Sequence, residues 1–143
     1  MVNAPAVARI LGGNSVLHRR VKSLADLRLV VEHGLPVGAL KRTVAHFELE
    51  PAMASELKHG IVPKTTLQRR TRLTLEESER LERLARLAAL AEEVWESPSL
   101  AREFLVTAQP QLDGERPVDL ARTDLGARQV EQLLMRIEHA LPS

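Results

Sequence analysis

The segment from Thr74 to Trp95 is strongly amphipathic, and any fold of this chain has to bury its wide apolar face. Thr74 and Glu77 form a T-x-x-E capping box, in which the two side chains satisfy backbone N–H groups that are free at a helix start. Apolar residues recur at helical spacing on two neighbouring stripes: Leu81, Leu84, Ala88, Ala91 and Trp95 on one, and Leu87, Leu90 and Val94 on the other. A face of this width predicts a central core helix.

The composition indicates that the surrounding elements are helices as well. Hydrophobic residues make up 44% of the chain but aromatic residues only 2%, and Leu and Ala supply most of the apolar content. Strands favour β-branched and aromatic side chains, whereas helices favour Leu, Ala, Arg and Glu. We therefore predict an all-α protein, with an N-terminal helix-turn-helix part followed by a second helical domain.

Several classes of protein are excluded by what the chain lacks. It has no cysteine, so disulfides and thiolate metal sites are ruled out. No apolar run approaches the roughly 20 residues of a membrane span. Residues 1–13 do not show the basic head, apolar centre and cleavage site of a signal peptide. We expect a cytoplasmic protein.

The net charge of +1 conceals a strong asymmetry between the two halves of the chain. Residues 1–72 carry 12 Lys and Arg against 5 Asp and Glu, a net charge of +7. Residues 73–143 carry 8 against 14, a net charge of −6. A basic half is suited to phosphate groups, because neutralising them releases counterions. The acidic half is better suited to a protein partner, although uneven solvation of two helical faces would give the same asymmetry.

Three segments are predicted along the chain. Residues 1–22 contain Gly12 and Gly13 but no periodicity, so we expect a flexible, loosely packed arm. Residues 23–72 are predicted to form the DNA-binding domain, with a helix start at Ser23 and another at Pro51 that ends near His59. Residues 73–143 form the second domain, in which further helices start at Ser97-Pro98, Pro117 and Thr123, with a loop at 107–116. Gly126 would allow a close helix approach there.

Residues 51–70 have the layout of a helix-turn-helix: a helix, a Gly-containing turn and a short basic helix. In this motif the second helix enters the major groove, where Arg and Lys pair with guanine or phosphate, Gln reads adenine, and Thr contacts phosphate or a thymine methyl. A helical hairpin with a solvated basic face is the alternative. The candidate DNA contacts are Lys64, Thr65, Thr66, Gln68, Arg69, Arg70 and Arg72.

Motifs that carry enzyme chemistry are not found. The chain has neither a phosphate-binding G-x-x-x-x-G-K-[ST] loop nor a G-x-G-x-x-G fingerprint, and no G-x-S-x-G marks a nucleophile. Its five histidines, His18, His33, His46, His59 and His139, are scattered and show no metal-ligand spacing. We expect a protein that is not an enzyme and that has no cofactor and no metal site.

The second half carries a specific pattern of residues over most of its length. Its first part reads Leu75-x-x-Ser78-x-Arg80-Leu81-x-Arg83-Leu84-Ala85 and then Ala91-Glu92-Glu93-Val94. Its middle part reads Ala101-Arg102-x-Phe104-Leu105, Pro110-x-Leu112-x-Gly114 and Pro117-x-x-Leu120. Its last part reads Thr123-x-x-Gly126-Ala127-x-x-Val130-x-x-Leu133-Leu134-x-Arg136-Ile137-x-His139. This pattern resembles the toxin-binding domain of the Xre/MbcA/ParS antitoxins.

The first half resembles the DNA-binding part of the same family more loosely. The matching residues are Leu11-Gly12-Gly13, Gly34-Leu35-Pro36 and Gly60-Ile61-x-Pro63-x-x-Thr66-Leu67-x-Arg69-Arg70. In the second half, Phe104 stands where the family usually has Trp, Trp95 replaces a commoner Phe, and Ala140 stands where a Gly commonly ends the last helix.

The resemblance implies an antitoxin of a type II toxin–antitoxin system. Such a protein would bind a RES-type toxin that consumes NAD⁺, block access of NAD⁺ to the toxin, and repress its own operon. It further implies toxin contacts at Arg128, Arg136, His139, Leu141, Pro142 and Ser143.

Helix-turn-helix proteins usually read two half-sites, so a homodimer is expected, with Leu24, Leu27 or Leu40 in its interface. The alternative is a stand-alone transcriptional regulator whose acidic half only dimerises.

Overall fold

A computed structural model describes residues 3–141 of the chain. All regular secondary structure in this range is helical, which confirms the predicted fold class. A single 3₁₀ turn, Pro110–Leu112, interrupts the loop before α9. The helices are α1 (Ala4–Ile10), α2 (Gly13–Leu17), α3 (Leu24–His33), α4 (Val37–His46), α5 (Pro51–Ile61), α6 (Lys64–Leu67), α7 (Leu75–Trp95), α8 (Pro98–Val106), α9 (Pro117–Leu120) and α10 (Asp124–Ala140).

Helix α7 is the central element, as its apolar face predicts. Its capping box is formed: Thr74 Oγ1 accepts from the Glu77 N–H, and the Glu77 carboxylate accepts from the Thr74 N–H. The helix packs against α1, α3, α4 and α5 from the N-terminal half of the chain and against α8 and α10 from the C-terminal half. Most residues of its two predicted stripes are buried, and only Leu90 and Trp95 are half-buried. One hydrophobic core therefore runs through both halves of the chain.

The N-terminal segment is not the loosely packed arm that the sequence predicts, and that prediction is wrong for residues 3–22. Asn3 caps α1, and Val7 and Leu11 are fully buried in the shared core. Gly12 and Gly13 do not mark disorder; their φ values of 114° and 69° make the tight turn that reverses the chain into α2. Residues 1 and 2 lie outside the described part of this segment.

Two extended segments pair side by side and connect the halves, and we call this pairing the clasp: residues 34–37 against 71–73, with Ser78. Its backbone bonds run from Leu73 N to Leu35 O at 2.8 Å and from Val37 N to Thr71 O at 3.0 Å. The buried Ser78 hydroxyl accepts from Leu35 N at 2.9 Å. A Cβ on Gly34 would lie 2.7 Å from Leu73 O, so the close approach requires glycine.

A second close approach joins α9 to α10. The Thr123 side chain caps α10 by accepting from Gly126 N at 3.0 Å, as predicted. A Cβ on Gly126 would lie 2.1 Å from the backbone oxygen of Leu120. Only glycine therefore fits at this contact, which confirms the role that its position in the sequence suggests.

Substitution of Gly126 by Ala should be strongly destabilising, because the obstructing atom is backbone and cannot rotate away. We expect the free energy of unfolding to fall by about 3 kcal/mol. Gly60→Ala is the matched control, since a Cβ there meets nothing within 4 Å. Alanine should stabilise α5 by about 0.5–1 kcal/mol at that position. Urea unfolding followed by circular dichroism measures both, and similar effects at the two sites would contradict this packing.

Glu82 on α7 sits in a charged cluster at the edge of the core. Its carboxylate lies 3.5 Å from Arg86 Nε, which also lies 3.6 Å from Glu131. Burial raises the pKa of Glu82 above its ordinary value, and the attraction of Arg86 and Arg83 does not offset it. The fold therefore disfavours the ionised form of this group.

Glu82→Gln should stabilise the protein at neutral pH. Because the folded pKa is raised, the stability associated with this group is complete below the ordinary value of 4.5 and is lost as pH rises through the folded pKa. In thermal melts, the melting temperature of the variant should rise relative to that of the wild type as the pH increases through the folded pKa of Glu82. The two melting temperatures should converge as the pH falls below 4.5. Glu138→Gln, at an exposed site on α10 that is not among the charges acting on Glu82, is the control and should show no such gain.

Candidate functional site

The helix-turn-helix layout predicted at residues 51–70 is present, with different helix ends. Helix α5 continues through Gly60 to Ile61, and the turn contains the buried Val62 followed by Pro63. Helix α6 is a single turn that ends at Leu67, so Gln68 and Arg69 lie in the turn after it. Neither helix has a fully buried side chain, and the apolar residues Met53, Ala54 and Leu57 of α5 are only half-buried.

Most of the predicted DNA contacts are exposed around α6. Lys64, Thr65, Gln68 and Arg69 are open to solvent, and Thr66 is half-buried. Arg69 makes only a long bond, 3.4 Å, from Nε to Thr65 O. The α6 turn therefore presents two cations and several hydrogen-bonding groups to solvent.

Two further residues of the predicted set have partners within the chain. Arg70 Nη1 and Nη2 donate to the two carboxylate oxygens of Glu77 at 2.8 and 2.7 Å. Arg72 Nη1 donates to Gly34 O at 2.8 Å, which adds a side-chain bond to the clasp. The sequence-based interpretation missed these pairings.

The Arg70–Glu77 pair perturbs both groups. The hydrogen bonds to Glu77 raise the pKa of Arg70 above its ordinary value. Burial alone would raise the pKa of Glu77, but the bonds from Arg70 and from the Thr74 backbone outweigh burial and leave the pKa below its ordinary value. Glu77 therefore stays ionised in the folded protein.

The predicted toxin contacts lie on α10 and just after it. Arg128 forms an exposed pair with Asp124 at 2.9 Å, which is an ordinary one-turn helix pair. Arg136 and His139 are exposed toward the end of α10, and Leu141 follows with 41% of its surface exposed. Pro142 and Ser143 lie outside the described residues. The structure thus brings Arg136, His139 and Leu141 to one end of one helix.

The three candidate dimer residues differ in their exposure to solvent. Leu27 and Leu40 are 2% and 0% exposed within a single chain, so neither can supply a dimer surface, and that expectation is wrong. Their helices are amphipathic, and these positions face α7 and its neighbours rather than solvent. Leu24 is 63% exposed at the start of α3.

A groove that the sequence did not reveal runs between α5 and α9 and has a volume of about 210 Å³. Its walls combine apolar side chains such as Met53, Leu57 and Val118 with Arg80 and Arg122. At its edge Arg116 binds Asp119 through two bonds of 2.8 and 3.1 Å, and this bonding raises the pKa of Arg116. In the sequence, the one signal for this edge of the groove is that the oppositely charged Arg116 and Asp119 lie three residues apart.

A hydrogen bond and an ion pair also connect the basic half with the acidic half. His46 Nε2 on α4 lies 2.6 Å from Glu92 on α7, and Arg102 on α8 lies 3.1 Å from Glu48. Both join residues that are more than 40 positions apart in sequence, so sequence patterns did not indicate them. The two halves are therefore joined by polar side-chain contacts as well as by the core.

Two further findings concern metal-binding groups and membrane-spanning helices among the described residues. Between residues 3 and 141, no group of three or more His, Cys, Asp or Glu side chains is placed to hold a metal ion. Over the same range, no helix combines the length and hydropathy needed to cross a membrane.

Comparison with known protein families assigns both halves. Residues 26–86 match the antitoxin Xre-like helix-turn-helix domain, and residues 90–140 match the antitoxin Xre/MbcA/ParS C-terminal toxin-binding domain. The two matches meet inside α7, whose first half completes the DNA-binding part. No curated protein matches the chain. Since the two family models cover most of the chain in the order expected for such an antitoxin, the protein belongs to the Xre/MbcA/ParS-type antitoxins.

Proposed function

We propose that this antitoxin belongs to a type II system, binds a RES-type toxin, blocks the access of NAD⁺ to that toxin, and represses its own operon. The single observation that supports this most strongly is the pairing of an exposed basic helix-turn-helix with a matched toxin-binding domain in one chain. In this proposal the protein acts in the cytoplasm by binding alone and catalyses no reaction.

The proposed DNA surface consists of α6 and the turn after it. Lys64 and Arg69 supply cations for phosphate or guanine, while Thr65, Thr66 and Gln68 supply hydrogen-bonding groups. Arg70 and Arg72 are left out, because each is engaged within the chain. Two copies of this surface in a homodimer would read two half-sites about one helical turn of DNA apart.

The proposed toxin surface is the far end of α10 with the residues that follow it. Arg136 and His139 are exposed there and can donate hydrogen bonds to carboxylate or carbonyl groups of the toxin beside its NAD⁺ pocket. In this proposal Leu141, Pro142 and Ser143 would occupy the entrance of the pocket. Positive charge near a helix C-terminus also interacts favourably with the helix dipole, so the stability of each variant has to be measured beside its binding.

Co-purification with the product of the adjacent gene tests the proposal as a whole. We expect a stable complex in which NAD⁺ consumption by the partner is suppressed. A chain that binds DNA but forms no such complex would instead be a stand-alone regulator. A complex that leaves NAD⁺ consumption unchanged would contradict the proposed mode of neutralisation.

Replacing Lys64 and Arg69 by Ala should weaken operator binding and leave toxin binding intact. Loss of a good base contact costs about 1–3 kcal/mol, so we expect the affinity to fall by roughly tenfold or more for each residue. Fluorescence anisotropy with the duplex upstream of the gene measures this. Arg19→Ala and Arg20→Ala remove exposed cations outside α6 and serve as the matched control.

Replacing Arg136 and His139 by Ala, or ending the chain after Ala140, should restore toxicity in cells that co-express the toxin. The expected readout is a loss of cellular NAD⁺ that the wild-type antitoxin prevents. Operator affinity of the same variants should be unchanged, because α6 lies outside the altered region. Full neutralisation by both variants would place the inhibitory contact elsewhere on the protein.

A further inference from the structure

Helix α6 is weakly held by packing. It is one turn long, it has no fully buried side chain, and among the described residues it makes no extensive contact with another helix. Only Leu67 and Thr66 on this helix are even half-buried. A recognition helix has to be held within a fraction of an ångström to read base edges. Apart from the packing of Leu67 against the core, contacts outside α6 must therefore set its orientation.

Arg70 supplies a connection from the end of this turn to the core helix. Its guanidinium binds both oxygens of Glu77 in the parallel, two-bond geometry that is strongest for this pair. The side chains of Arg70 and Glu77 are only 27% and 15% exposed. Arg70 Nε is buried as well, and it has no hydrogen-bond partner within residues 3–141. The guanidinium is thus directed toward Glu77 and is only partly exposed to solvent.

Glu77 is itself rigidly held. One of its oxygens accepts from the Thr74 backbone at 2.9 Å, which is half of the capping box of α7. The next residue, Ser78, is buried and belongs to the clasp. Glu77 therefore transmits the position of the central helix to Arg70.

We propose that Arg70 is a positioning residue for DNA recognition: it does not contact DNA, and it fixes α6 by binding Glu77 at the start of α7. This inference rests on the proposed DNA-binding function. To reach a phosphate, Arg70 would have to leave a half-buried carboxylate without its partner, and that carboxylate would then face the DNA. In this proposal the Arg70–Glu77 ion pair, whose charges cancel, orients Lys64 and Arg69 instead.

The decisive experiment measures operator affinity and its salt dependence for Arg70→Gln and Glu77→Gln. Glutamine at position 77 keeps the capping box, since Gln serves there as well as Glu, and removes only the charge. We expect both variants to bind the operator roughly tenfold more weakly, and the double variant to be no weaker than either one, because they break the same contact. Their affinity for a scrambled duplex of equal length should be unchanged.

The salt slope distinguishes positioning from direct contact. Each lost phosphate contact reduces the slope of log K against log salt by about 0.9. We expect the wild-type slope to persist in Arg70→Gln and to fall in Lys64→Ala. Toxin binding and the melting temperature of the variants separate this role from a general loss of stability, which would not lower the preference for operator over scrambled DNA.

Three results would overturn the inference. A reduced slope in Arg70→Gln, combined with tighter binding by Glu77→Gln, would show that Arg70 contacts phosphate. Unchanged operator preference in both variants would show that α6 is fixed by other contacts. Failure of the wild type to bind any duplex would overturn the proposed DNA-binding function together with this inference, and the first two results would overturn the inference alone.

Discussion

The clasp between residues 34–37 and 71–73 is the interaction on which the rest of the structure depends. It returns the chain, after α4, α5 and α6, to the point where α3 ended, so that α7 can start beside the elements that it has to cover. Its central N–H, that of Leu35, is buried and is satisfied by Ser78. Leaving such a group unpaired would cost about 1–3 kcal/mol. The clasp therefore sets the alignment of residues 34–37 with residues 71–73 and also stabilises the fold.

Because the clasp delivers α7 into the middle of the molecule, one helix serves both halves of the protein. Its first half lies within the match to the helix-turn-helix domain, and the helix is also the base on which α8 and α10 pack. The His46–Glu92 and Arg102–Glu48 pairs reinforce this connection. A change in the contacts of either half has a direct physical route to the other through this shared helix.

The proposed binding surfaces lie on segments that bury few side chains. Helices α5 and α6 bury no side chain completely, and the end of α10 is exposed on several sides. Such elements are free to present polar groups, but they need anchors from better-packed regions. The capping box of α7 and the Arg70–Glu77 pair meet that need at α6.

The sequence by itself determined the helical class, most helix starts, the central position of α7 and the need for glycine at Gly126, because caps, periodicity and small residues act locally. It also carried the motifs of both antitoxin domains. Only the tertiary structure decided that α1 and α2 pack into the core, because their short apolar patterns acquire partners only when α7 lies against α1 and α4 lies against α2. It likewise decided that Arg70 and Arg72 are engaged within the chain, since an arginine beside a recognition helix has the same sequence signature whether its partner is a phosphate or, as here, a carboxylate or a backbone carbonyl brought near by the fold.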